Sequence, residues 1–278
     1  MIDPWEPPRK REQQYQNAIQ RALAGLREAV RGASGLEEIQ AAVEAFAASK
    51  AFREACRAIA ARMVTHTLSW SGRTWREAAK AASKGQRIHN ALTREIQGNL
   101  SREVEWQILR NARLISSIPE DLREQMAKEI ARLTVDGMRP AAVAQRLQDR
   151  FPQMAASRAA LIARTEVSKT QTAIVRARAE ELGVGWYVWH STGDARTRKS
   201  HRLMNHVLCA WNDPPSPERL AGERDVGAYA PGEIWNCRCY AEPLTSLDRV
   251  RWPHKVYYGG RIQTMTRAQF MKIGGMAA

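Results

Sequence analysis

Two cysteines separated by a single residue, Cys237 and Cys239, and a histidine, His201, are the side chains in this chain best suited to chemistry. Glu233 to Tyr240 reads as a strand, and residues two apart on a strand point to the same face. Both thiols then either pack together or grip one ion. His201 falls on a short predicted helix, Arg196 to Asn205, and can bring an imidazole to that face. Adding Cys209, from the strand-like run Val207 to Trp211, gives three cysteines and one histidine, an accepted composition for a structural zinc site. The spacing is not that of a standard finger, so a second reading stays open. In it, Cys237 and Cys239 are buried strand residues and His201 is hydrogen-bonded to Asp194 or to backbone. A disulfide between the two would close a very small, strained ring. Cys56 lies on a helical apolar stripe and reads as a small core hydrophobe.

The densest basic cluster near these residues is Arg196, Arg198, Lys199 and Arg202. Guanidinium forks engage phosphate oxygens bidentately and carry much of sequence-independent DNA affinity. The alternative is that these arginines tie their loop to Asp194, Glu166 or Glu233. Arg196 and Arg198 alternate around Thr197, so they do not share one job. Arg164 sits at the edge of its helix's apolar stripe, where an intramolecular carboxylate or carbonyl partner is expected. Asp194, His201 and a thiol are also ingredients of a metal-dependent nuclease or a cysteine nucleophile. Against a catalyst, the chain has no His-Glu-x-x-His, no P-loop, no nucleophile elbow and no paired carboxylates near His201. His66, His89, His190, His206 and His254 are scattered singly and read as ordinary residues.

Helices must position most of this. Apolar residues recur at three- and four-residue spacing in Tyr15, Ile19, Leu23, Leu26 and Val30, in Leu36, Ile39, Val43 and Phe46, and in Phe52, Cys56, Ile59 and Met63. Further helices are expected from about Trp75 to Gln97, weakly patterned around Ile88, Leu92 and Ile96, and from Ser101 to Ser117. Ile118-Pro119 opens the next, with Leu122, Met126, Ile130 and Leu133 on its stripe and Gly137 as its left-handed stop. Pro140 starts a short helix carrying Val143, Leu147 and Phe151. Beyond Pro152 a long helix runs from Ser157 to Leu182, closed by Gly183. After Gly185 the pattern turns to short aromatic and β-branched runs, of which Trp186 to His190 is the first. Asn212 to Pro217 reads as an exposed loop. The stretch from about Leu247 shows no clear period and reads as a surface-docked or partner-bound tail.

The chain has 278 residues, of which 44% are hydrophobic, enough for a substantial core. Its formal charge of +14, spread evenly between the two halves, favours an anionic neighbour such as nucleic acid or is simply a solvated arginine-rich surface. The start, Met1 to Glu6, does not read as a secretory signal, and no segment is apolar enough to span a membrane, so no membrane partner is expected. Four cysteines, unevenly placed, agree with a reducing compartment.

Arg164-Thr165-Glu166 on a helix, the Asp-x-Arg-Thr-Arg-x-x-His segment from Asp194 to His201, and Asn236-Cys237-Arg238-Cys239 occur here in order, over about residues 119 to 245. In this the chain resembles the phage Mu F-like head morphogenesis family. In that family the position near Cys209 is usually apolar. The resemblance implies an α+β, mainly helical fold. A helical N-terminal region over 1–118 would precede a Mu F-like domain over 119–247, made of helices and a small antiparallel sheet, with a tail over 248–278. It further implies a non-catalytic minor head protein of the procapsid, lying near the portal in the virion and in the host cytoplasm during assembly. Its partners would be the portal protein, other capsid or scaffold proteins and packaged double-stranded DNA. No cofactor is implied beyond the zinc considered above. The rival readings are a metal-dependent nuclease and a general DNA-binding packaging module.

Overall fold

The structure is a computed structural model that describes residues 3–80 and 99–274. Two compact units divide the chain. The helical unit takes Arg9–Val64 and Trp106–Glu166; the mixed unit takes the described parts of Met1–Pro8, Thr65–Glu105 and Val167–Ala278. This division does not follow the boundary at residue 118 read from the sequence.

In the helical unit, α1 (Arg9–Ala22), α2 (Ala24–Gly32) and α3 (Leu36–Ala48) precede the first part of α4 (Lys50–Lys80). The second part of α5 (Asn99–Ser116), then α6 (Ile118–Val135) and the first part of α7 (Pro140–Glu181), complete it. The stripe from Tyr15 to Val30 is buried throughout although the helix breaks at Leu23. Burying each such side chain contributes about 1.5–3 kcal/mol. Tyr15 is satisfied inside by donating to Asn111 Oδ1 at 3.0 Å, and burial raises its pKa. Cys56 is buried as expected, its thiol pushed up to about 12 by burial.

Two helical expectations are corrected. The helix does not stop at Pro152: α7 runs through it, unbroken over its 42 residues from Pro140 to Glu181. An internal proline costs about 3 kcal/mol through a lost hydrogen bond and a clash. The buried run of Val143, Leu147 and Phe151 before it and Ala155, Ala159 and Ile162 after it offset that cost. Likewise no helix starts at Trp75, because α4 is unbroken from Lys50 to Lys80. The rest of the helix expected to reach Gln97 lies outside the described residues.

The mixed unit is built on one sheet of five strands in the order β3-β1-β2-β4-β5. They are β1 (Trp186–His190), β2 (Leu208–Ala210), β3 (Tyr240–Pro243), β4 (His254–Tyr258) and β5 (Arg261–Met265). The sheet is mixed rather than antiparallel, since β2 and β4 run parallel through Leu208 and Val256. The stretch beyond Leu247, expected as a tail, supplies β4, β5 and α10 (Arg267–Gly274), so it is part of the sheet and its cover. Alternation along β1 sorts its side chains. Tyr187 and Trp189 join a core with Trp75, Val175, Ala179, Trp211 and Trp5, whereas Trp186 packs with Phe270, Leu208 and Val256 on the other face. The segment Asp3–Pro8 belongs to this unit: Trp5 meets Trp75 edge to face at 5.2 Å, and Gln171 donates to the Trp5 carbonyl at 3.0 Å.

Candidate functional site

The loop after β1 turns on Asp194. Its Oδ1 accepts from the Arg196 amide at 3.1 Å and from Thr197 Oγ1 at 3.0 Å, and the Thr197 hydrogen bond leads in holding its carboxyl below the usual range. That turn delivers the chain into α8 (Lys199–Leu203), which carries His201 inward. From the other side comes the segment ahead of β3. Gly232 sits at φ +89, and a Cβ there would lie 2.8 Å from Thr172 Oγ1 and 3.0 Å from the Cys239 carbonyl. Thr172 donates to the Pro231 carbonyl at 2.5 Å, pinning this turn to α7. Asn236 then adopts the left-handed conformation, φ +58, a region that asparagine tolerates better than most residues.

Between these segments three donor atoms converge. His201 Nδ1 is 3.5 Å from Cys237 Sγ and 3.4 Å from Cys239 Sγ, and all three side chains are buried. The three ligand atoms lie within 4.8 Å of one another. The amide of Cys239 donates to Cys237 Sγ at 3.4 Å. The thiol of Cys237 is held well below its ordinary value, first by a hydrogen bond from Cys239 and then by His201, against the cost of burial. Cys239 is pushed up, first by Cys237 and then by burial. The buried indole N–H of Trp189 favours a thiolate at Cys239.

The far side of the imidazole is equally organised. Nε2 is 2.9 Å from the Tyr229 hydroxyl, which is 2.7 Å from each oxygen of Glu218. Glu218, in α9 (Pro217–Leu220), is buried and also accepts from Ser200 Oγ at 3.2 Å. Because the carboxylate can only accept, Tyr229 gives it the hydroxyl proton, and the phenol oxygen accepts from Nε2–H. With Nε2 turned to the phenol, Nδ1 is the ring atom that faces the two sulfurs.

Residues 124–242 match the family model described as phage Mu protein F like protein. Over these residues the chain is Mu F-like. The chain is also 28% identical over 146 residues to an uncharacterized protein of Haemophilus influenzae, an alignment covering 52% of this chain and 30% of that relative. The chain thus spans about a third of that protein's length. No solved structure matches significantly.

Within the Mu F-like domain the sequence motifs take different places. His201, Cys237 and Cys239 come together, but not as a strand would bring them. Glu233 to Cys239 is irregular, and only Tyr240 onward is paired as β3. The left-handed turn at Asn236 and the Cys239 amide bond to Cys237 sulfur replace strand register as the cause. Cys209 does not join them. It lies on β2 opposite Tyr187, fully buried, with Sγ near the Val207 carbonyl at 3.7 Å and its pKa raised by burial. Asp194 does not pair with His201 either, because its carboxylate is spent on the turn.

Of the basic cluster, Arg198 donates to the Trp235 carbonyl at 3.1 Å with its guanidinium over the Trp235 ring, and Arg202 donates to the Asp194 carbonyl at 3.2 Å. The carboxylates of Glu166 and Glu233 have partners outside this cluster. Glu166 pairs with Arg110 at 3.0 Å, and Glu233 accepts from the Ala230 amide at 2.7 Å. Arg164 meets Glu12 at 3.4 Å, an intramolecular carboxylate as expected, while Thr165 is buried beside it in α7. Arg196 and Lys199 are exposed.

Sequence reasoning missed Glu218 and Tyr229. The Asn212 to Pro217 run reads as an exposed loop, yet Pro215, Ser216 and Pro217 are buried, and the Tyr229 amide donates to the Pro215 carbonyl at 3.0 Å. It also missed a second histidine group. His190 Nε2 meets Glu242 Oε2 at 2.9 Å, and Asp3 lies within 4.8 Å of both ligand atoms. Asp3 is already engaged, by the Tyr240 hydroxyl at 2.9 Å and the Trp5 amide at 2.9 Å. These carboxylates form a satisfied polar network.

Proposed function

We propose that this chain is a minor head protein, incorporated in few copies during procapsid assembly beside the portal, with a basic surface turned toward packaged DNA. The observation that carries this reading is the Mu F-like domain over residues 124–242. The net charge of +14 supports an anionic neighbour. No described helix is long and apolar enough to cross a membrane. The role is adhesive rather than catalytic: His201, Cys237 and Cys239 are buried, and the nearest polar groups are spent on holding them. Binding partners are the portal protein, other capsid or scaffold proteins and duplex DNA.

Co-expression with the portal protein of the same phage tests the reading, with co-purification on a portal ring expected. Retention on DNA but not on the ring would replace it with a general packaging module. Plasmid DNA degraded in the presence of divalent ion, and spared by His201→Ala, would replace it with a nuclease. DNA binding through residues such as Arg196 and Lys199 is sequence-independent, with affinity falling by about 0.9 log units per phosphate contacted for each tenfold rise in salt.

A further inference from the structure

From the convergence of His201 Nδ1, Cys237 Sγ and Cys239 Sγ we infer that the Mu F-like domain holds one zinc ion on these three atoms, with solvent in the fourth position. The inference is independent of the proposed place of the chain in the head.

Three observations carry it. The first is distance. A tetrahedral zinc with bonds of about 2.3 Å to sulfur and about 2.0 Å to nitrogen sets each sulfur about 3.5 Å from the nitrogen. The distances here are 3.5 and 3.4 Å. The second is valence. A neutral imidazole nitrogen has one in-plane lone pair and accepts one S–H hydrogen bond well. Here one nitrogen faces two sulfurs at nearly equal range, which a bridging cation explains and a single hydrogen bond does not. The third is support behind the ligand. Nε2 is held by Tyr229, and Tyr229 by both oxygens of Glu218. A carboxylate-backed hydrogen bond to the far nitrogen is how metal-binding histidines are kept in one tautomer and orientation. The Cys239 amide on Cys237 sulfur does the same for a thiolate.

Two thiolates and an imidazole are a soft donor set that suits zinc and disfavours magnesium or calcium. Among the described residues no further cysteine, histidine or carboxylate joins the group. Burial closes the site to large substrates, so the ion acts as a clamp between α8 and the segment ahead of β3.

The test uses the full chain, purified and dialysed against metal-free buffer. Elemental analysis is expected to find about one zinc per chain. Cobalt(II) added to the stripped chain is expected to give thiolate-to-metal charge transfer in the near ultraviolet and tetrahedral d–d bands, saturating at one equivalent. Cys209→Ser should retain the ion. Cys237→Ser with Cys239→Ser should lose it. Tyr229→Phe should weaken binding roughly 10–100-fold. A folded wild-type chain with no zinc and no cobalt–thiolate band overturns the inference, as does loss of the ion in Cys209→Ser comparable to that in the double variant. If the double variant does not fold, the cobalt titration of the wild-type chain decides alone.

Discussion

His201 and His190 belong to the same unit and are held by opposite chemistries. His201 turns one nitrogen to two sulfurs and the other to a phenol backed by a carboxylate, and is buried. His190 gives Nε2 to Glu242, stacks on Tyr240 at 5.0 Å and meets His206 edge-on at 5.1 Å, partly in solvent. The oxygen-based group satisfies itself by ordinary hydrogen bonds and an ion pair. The sulfur-based group brings one nitrogen and two sulfurs within 4.8 Å of one another. What a histidine does here is set by whether its neighbours are hard or soft.

The contrast predicts unequal damage. Gly232→Ala forces a Cβ against Thr172 Oγ1 and the Cys239 carbonyl at positive φ, so it should destabilise the chain by about 3 kcal/mol or more in urea unfolding. A loss under about 1 kcal/mol would mean the cysteine segment can shift freely, and the distinction would collapse. Next comes Tyr229→Phe, which removes the buried hydroxyl between His201 Nε2 and Glu218 and should cost about 1–3 kcal/mol. Glu242→Gln, at the more open histidine, should cost less than Tyr229→Phe; the reverse order would refute the comparison.

Acid should find the oxygen-based group. Burial raises the Glu242 pKa, but the hydrogen bond and charge of His190, with the charges of Arg249 and His206, outweigh it and leave it lowered. Its stabilisation is therefore complete above about pH 4.3, the unfolded value, and is lost as pH falls through the lower folded value. His206 is lowered too, first by burial and then by the charges of His190 and His254, against Glu242 and Asp3. Below about pH 6.5 the unfolded chain takes that proton more readily, so stability declines from there. Thermal melts across pH should show two stages, and Glu242→Gln should shrink the lower one, to which Asp194 also contributes. The smallest effect belongs to the exposed cluster. Arg196→Ala with Lys199→Ala should leave stability within about 0.5 kcal/mol while flattening the salt dependence of DNA retention. Arg198→Ala should cost more, because it releases the Trp235 carbonyl.

The helical unit was largely legible because its signal is periodic. Ile19, Leu26, Leu122 and Leu147 announce their burial by spacing alone, and Gly137 closes its helix at positive φ as expected. The mixed unit was less so. β4 and β5 hide in a stretch whose partners are remote, and a parallel pairing such as Leu208 with Val256 leaves no local trace. At the site, His201, Cys237 and Cys239 were found by residue type. Glu218 and Tyr229 were not, because a glutamate beside prolines gives no sign that it will be buried. Cys209 shows the converse: a cysteine on a core strand is chemically eligible and geometrically absent.

The docking of Asp3 and Trp5 bears on the order in which the mixed unit can form. The hydroxyl that Asp3 accepts from belongs to Tyr240, and the amide held against Trp5 belongs to Gln171. These contacts join residues 166 and 237 positions apart. Such pairings carry the largest loop-closure cost and reward the chain only once α7 and β3 are in place.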